Sequence, residues 1–203
     1  GDIRVVEMLL EGTGVDVNGR APDTGMTALY IAASQGHLEV VASLLRASAY
    51  PNEATASSFY PLHGAVLSAS PSTAAVISAL LAAGASPNCA AASGATPVLT
   101  AAAKGRIASL QLLLEAKGDP DTWADREGPA AFAAAKGGGA AAVQLLIEYK
   151  ASLGPKAGEI RGTGSDVTDL AAIGRTKTTP IAVLGPVQHA AAVADKVGTA
   201  KVL

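Results

Sequence analysis

The sequence predicts an all-α solenoid, a stack of short helical hairpins that recur along the chain. Segments repeat with a period of about 33 residues, and each carries aliphatic residues at helical spacing. Hydrophobic residues make up 49% of the 203 residues, but aromatic residues only 3%. The core must then be built from Ala, Leu, Val and Ile, which suits closely packed helices better than a sandwich or a barrel.

The period is marked by a recurring asparagine or aspartate that follows a leucine-rich segment. Asn18, Asn52, Asn88 and Asp121 succeed one another at close to this spacing. A fifth leucine-rich copy, AVQLLIEYKASLG, follows the fourth one period later. Because one such hairpin exposes apolar surface on both sides, we expect it to be stable only when stacked on its neighbours.

The segment TALYIAASQGHLEVVASLL (residues 27–45) shows how one unit is built. Thr27 is placed to cap a first helix, and Gly36 to take the positive φ between two helices. Alanines 32 and 33 leave room for a neighbouring helix. The second helix has one apolar stripe, formed by Val40, Val41, Leu44 and Leu45. The fourth unit has the same features. Thr96 is the helix cap, Pro97 takes the first helical position, Ala101 and Ala102 are the small pair, and Gly105 lies between the two helices.

These segments, with YPLH and TPVLTAAAKG, resemble the ankyrin repeat, whose consensus has a TPLH tetrapeptide, an alanine pair, a Gly-His turn and a leucine-rich second helix. The resemblance covers residue 1 to about residue 153 and implies an ankyrin-repeat solenoid with β-turn loops that project like fingers. We expect a stack over residues 1–154, with repeats at about 1–20, 21–55, 56–90, 91–123 and 124–154. Residues 155–203 are either an irregular C-terminal extension or a decayed sixth repeat.

The sequence departs from the family pattern in five places. Repeat one starts between its two helices, so we expect the chain to be a fragment, or the ordered part, of a longer polypeptide. Repeat three has three extra residues in the 68–73 region. Tyr60 stands where a capping threonine is expected, and Leu99 where the consensus has histidine. In repeat five AAFA replaces the tetrapeptide, and the spacing slips by one residue.

Charge and cysteine content exclude several functions. The formal net charge is −2, and the 15 Lys and Arg residues are scattered, so we expect no nucleic-acid ligand. No apolar run is long enough to span a membrane. The single cysteine, Cys89, excludes an internal disulfide framework and predicts an intracellular, reducing compartment, the cytoplasm or an organelle interior.

No residue pattern predicts catalysis, a metal site or a cofactor. His37, His63 and His189 lack the spacing of metal ligands, and the first two match positions where ankyrin repeats keep histidine for structural hydrogen bonds. Cys89 lies in a loop with no partnering histidine nearby, so it is not expected to be a nucleophile. The glycine-rich stretches 136–140 and 158–164 do not match a phosphate-binding loop and read as turns.

The remaining candidate is a surface that binds another protein. By resemblance, partners would contact the concave groove and the finger loops. Aromatic residues and arginine at these positions are typical interface hot spots, although Trp123 and Phe59 could instead pack between adjacent fingers. The predicted partner-binding residues are Asp23, Thr24, Met26, Tyr30, Phe59, Tyr60, Trp123, Asp125, Arg126 and Glu127.

The sequence therefore favours a non-catalytic interaction module or scaffold, in a structural subunit or segment of a larger assembly. The alternative is a targeting or regulatory ankyrin domain of a longer enzyme or channel, whose active part lies outside this chain.

Overall fold

A computed structural model describes residues 2–12, 14–124 and 127–151, which form helical hairpins in succession. The predicted extension at 155–203 lies outside the described residues, and the repeat boundaries stay predictions. Repeat one contributes one helix, α1 (Ile3–Gly12). Repeats two, three and four contribute the pairs α2 (Ala28–Gln35) and α3 (Leu38–Arg46), α4 (Pro61–Leu67) and α5 (Thr73–Ala82), and α6 (Pro97–Ala103) and α7 (Ile107–Glu115). Repeat five has the strands β1 (Trp123–Ala124) and β2 (Gly128–Pro129), then α8 (Ala130–Ala133), a π turn (Ala134–Gly138) and α9 (Ala140–Glu148).

The helices form two layers, which confirms the predicted all-α solenoid. The first helices of successive repeats contact one another in the order α2, α4, α6 and α8 with its π turn. The second helices contact in the order α1, α3, α5, α7 and α9. Each second helix after α1 also packs on the first helix of its own repeat. The core between the layers is continuous, and every buried hydrophobic residue of the described part is Ala, Leu, Val or Ile, as expected.

The helix ends follow the predicted chemistry. The hydroxyl oxygens of Thr27 and Thr96 accept hydrogen bonds from the backbone N–H groups of Tyr30 and Leu99, each at 3.2 Å. Gly36 and Gly105 have φ values of 73° and 62°, so they end the first helices in the left-handed conformation. These caps satisfy backbone groups that short helices otherwise leave exposed.

Small side chains allow the first helices to approach closely. Ala33 and Ala102 have no exposed surface, and Gly64 of α4 lies directly against Ser34 of α2. A Cβ atom built on Gly64 would be 3.1 Å from Ser34 Cβ. This distance is tighter than ordinary van der Waals contact, so the spacing between α2 and α4 depends on the missing side chain.

The recurring asparagines join each repeat to the next. Asn52 Nδ2 donates to the carbonyl oxygen of Gly84 at 2.8 Å, and its Oδ1 accepts from the N–H of Ser86 at 2.8 Å. The accepting carbonyl belongs to a residue of positive φ just after the second helix. The same two bonds run from Asn18 to Ser48 and Tyr50, and from Asn88 to Lys117 and Asp119. The sequence period thus corresponds to an asparagine clamp between repeats.

Repeats three and five accommodate their irregularities at the turn between helices. In repeat three, five residues (68–72) separate α4 from α5, which confirms the predicted insertion. In repeat five, α8 and α9 begin one full period after α6 and α7, so the register is kept and only the Lys-Gly pair is displaced. The π turn takes up this displacement, and Gly139 N–H still donates to Ala134 O at 2.9 Å, as Arg106 does to Ala101 in repeat four.

Replacement of Gly64 tests whether close helix approach limits stability. We expect Gly64→Val to lower the free energy of unfolding by about 1–3 kcal/mol, because the added atoms overpack the contact with Ser34. Urea unfolding followed by circular dichroism measures the change. A second variant, Gly64→Ala, adds only the Cβ atom. Its control is Gly12→Ala, because Gly12 is also helical but has no atom within 4 Å of the position of the missing Cβ. If Gly64→Ala stabilises the protein as much as Gly12→Ala, the close approach carries no energetic cost.

Candidate protein-binding surface

Each finger is a short loop that links a second helix to the first helix of the next repeat. Finger two (residues 20–27) closes through an Ala21 N–H to Met26 O bond at 2.9 Å and a bridge between Arg20 and Thr27. Gly25 permits the tight turn with a φ of 64°. Asp23 and Thr24 are exposed at the tip, whereas Met26 and Tyr30 are half-buried, and burial raises the pKa of Tyr30.

Fingers two and three are fastened together. Arg20 Nη1 lies 2.5 Å from Glu53 Oε1, and Arg20 Nη2 also donates to the carbonyl oxygen of Ala54. The N–H of Ala56 donates to Thr24 O at 3.0 Å, so the two loops share a backbone hydrogen bond. The ion pair and hydrogen bond of Arg20, together with the backbone hydrogen bond, therefore fix the position of the two finger tips relative to each other.

His63 holds finger three to finger four. It is fully buried, and its Nε2 lies 2.9 Å from Ala95 O, so Nε2 carries the proton. Its Nδ1 accepts from the N–H of Tyr60, the residue at the capping position, at 3.3 Å. The Phe59 ring meets the imidazole edge-on, with centroids 5.6 Å apart. The predicted structural role of His63 is confirmed, and Phe59 contributes to the same packing.

The expectation that Cys89 has no histidine nearby is wrong. Its Sγ lies 3.8 Å from His63 Nδ1, because the loop after the second helix of repeat three folds back over α4. The pair is nevertheless poorly suited to nucleophilic chemistry. Burial raises the pKa of Cys89 to about 12 and lowers that of His63, and Nδ1 already accepts the Tyr60 N–H. The thiol stays protonated near neutral pH.

Finger five differs from the others in forming two paired strands. Trp123 pairs with Pro129 and Ala124 with Gly128 in antiparallel register. Trp123 is half-buried, and its carbonyl oxygen would be 3.3 Å from a Cβ on Gly94, so fingers four and five touch through their backbones. Glu127 is exposed. The predicted residues Asp125 and Arg126 lie outside the described residues.

A shallow cavity of about 270 Å³ opens between repeats four and five, beside finger five. Lys104 and Lys136, at the ends of the two first helices, flank it together with Glu127. Sequence reasoning did not single out the two lysines. The sequence did carry a signal for them, because each lysine directly precedes a glycine at the end of a first helix, in neighbouring repeats. The cavity therefore has two cationic side chains and one carboxylate at its rim.

The predicted surface residues are thus of two kinds. Those at the tips of the described fingers are open to a partner, whereas the aromatic residues are partly engaged inside the protein. None of the described residues forms a group of His, Cys, Asp or Glu able to hold a metal ion. Within the same residues, the structure has no helix long and apolar enough to cross a membrane.

The protonation of His63 should make stability depend on pH. Its pKa in the folded protein is lowered by burial, so the unfolded chain binds the proton more tightly. We therefore expect the free energy of unfolding to fall as pH decreases from about 7 to 5, through the unfolded pKa of about 6.5. His63→Leu, which copies Leu99 of repeat four, should show a weaker dependence in urea unfolding over this range. Equal dependence in both proteins would exclude His63 as its source.

Comparison with known families agrees with this architecture. A family model for ankyrin repeats, in three copies, matches residues 1–90. No curated protein matches the chain. Ankyrin repeats bind other proteins, and ankyrin domains are generally non-catalytic. The stacked hairpins and the family match over residues 1–90 are consistent with an ankyrin repeat protein, and ankyrin repeats indicate a protein–protein interaction module.

Proposed function

We propose that this chain is a non-catalytic scaffold, a structural subunit or segment of a larger assembly that binds another protein through its fingers and concave groove. The observation that carries the proposal is the fastening of fingers two and three by Arg20, Glu53 and the Ala56–Thr24 backbone bond. A surface fixed before binding loses little conformational entropy when a partner docks.

The charges on this surface favour a protein partner with mixed charge. Asp23 and Glu127 place carboxylates on fingers two and five, whereas Lys104 and Lys136 line the cavity beside Glu127. Nucleic acid would need clustered cations without nearby carboxylates, so we propose that nucleic acid is not the ligand. The free, protonated thiol of Cys89 fits the proposed reducing, intracellular compartment.

The test is a pair of charge-matched double variants. Asp23→Arg with Glu127→Arg changes two exposed finger residues. Glu39→Arg with Glu115→Arg makes the same charge change on the exposed surface of α3 and α7. Partners captured from native extract by the wild type are identified, and their affinity for each folded variant is then measured.

We expect the finger variant to weaken binding about tenfold or more, because reversed charges at an interface raise repulsion, and the helix variant to bind as wild type. Circular dichroism verifies that both variants stay folded. Loss of binding in the helix variant alone would place the interface on the second helices and contradict the proposal.

A further inference from the structure

A second surface feature lies at the opposite end of the helices from the fingers. Each first helix begins at a finger and ends at the turn to its second helix, so the turns form a separate edge of the stack. In repeat three this turn is the insertion, residues 68–72. Its Ser70 covers Gly36 of repeat two, where a Cβ would approach Ser70 Cβ far inside van der Waals contact. The insertion is therefore seated at one defined place on the edge.

On its other side, the insertion and the start of α7 enclose a cavity of about 450 Å³. None of the lining residues, all within the described chain, is acidic. Arg106 lies at its wall and forms no ion pair with the described residues. Its lining includes Ser68 and Ser70 of the insertion, and Ala108 and Ser109 of α7.

The cavity contains polar hydrogens with no acceptor. The start of α7 has no side-chain cap, because arginine occupies the capping position and cannot accept a hydrogen bond. The backbone N–H groups of Ala108 and Ser109 consequently have no acceptor among the described residues. Ser68 and Ser70 accept backbone N–H bonds through their hydroxyl oxygens, which leaves the hydroxyl protons unused.

Ser109 is the independent sign of a ligand. It is 4% exposed and lines the cavity, yet its hydroxyl has no hydrogen-bond partner in the part of the chain that the structure describes. The equivalent position is apolar in the other second helices with a complete repeat, at Val40, Val76 and Ala142. An apolar side chain meets the packing requirement at this position in the other repeats, whereas the serine hydroxyl can donate a hydrogen bond to a ligand in the cavity.

We propose that this cavity binds a phosphoryl group, a tetrahedral oxyanion held by Arg106, the hydroxyl of Ser109 and the uncapped N–H groups at the start of α7. All these groups donate, and the positive end of the α7 dipole adds to the charge of Arg106. The oxyanion is either free phosphate or the phosphorylated side chain of a protein segment. This site goes beyond the proposed scaffold function, because it lies away from the fingers and the groove.

The experiment is a titration of the ¹⁵N-labelled full chain with inorganic phosphate, followed by amide chemical shifts, with chloride at equal ionic strength as the salt control. We expect saturable shifts of the Ala108 and Ser109 amides with phosphate only. Arg106→Gln and Ser109→Ala should each weaken binding about tenfold, since a hydrogen bond to a charged group is lost. Arg46→Gln removes the same charge from the end of α3 and should bind as wild type.

Two results would overturn the site: shifts that chloride reproduces, or unchanged affinity in both Arg106→Gln and Ser109→Ala. Folding does not confuse the test, because Ala142 occupies the position of Ser109 in repeat five, so the alanine variant should be as stable as wild type without phosphate. A marked loss of stability in Ser109→Ala would show a structural role and contradict the proposal.

A second titration compares a phosphoserine peptide with its unphosphorylated form. Tighter binding of the phosphopeptide than of phosphate assigns the site to a modified protein segment. Equal or weaker binding assigns it to the free anion.

Discussion

The close approach of the first helices is the constraint on which the rest of the structure depends. A helix of seven or eight residues is too short to be stable alone in water, so it must gain its free energy from neighbours. Ala33, Ala102 and Gly64 bring the neighbouring backbones close enough for this packing. The spacing that results also brings successive fingers within hydrogen-bond distance, as the Ala56–Thr24 bond shows. The distance between repeats therefore determines both the packing of the core and the contacts between fingers on the surface.

Much of the fold could be predicted because the determinants are local and recur. A threonine cap, a glycine of positive φ and an apolar stripe each act within one hairpin, so Thr27, Gly36 and Val41 were assigned from the sequence alone. The asparagine clamp was visible as a period but not as a bond, since a sequence pattern gives positions and not partners. The π turn could not be predicted from the sequence, because the displaced Lys-Gly pair looked like a change in the spacing between repeats.

Less of the candidate surface could be predicted, for the same physical reason. Exposure at Asp23 and Glu127 follows from polar residues in loops. Phe59 packs against His63 only four positions away, but the sequence does not show which way its ring turns, and Cys89 approaches the same imidazole from 26 positions along the chain. The second contact depends on how the loop after α5 folds back within repeat three, which a helical pattern does not specify. Lys104 and Lys136 come together only because two first helices end side by side.

The asparagine clamp has a consequence for how such a chain can change in length. The three clamps join residues that are 30, 32 and 29 positions apart, yet each makes the same two hydrogen bonds, one to a carbonyl oxygen and one from a backbone N–H. The longest of these spans contains the insertion of repeat three. The clamp therefore fixes the two ends of a repeat and leaves its middle free to grow. Evolution can lengthen the turn between helices, and a protein engineer can graft a peptide there, while every later repeat keeps its place.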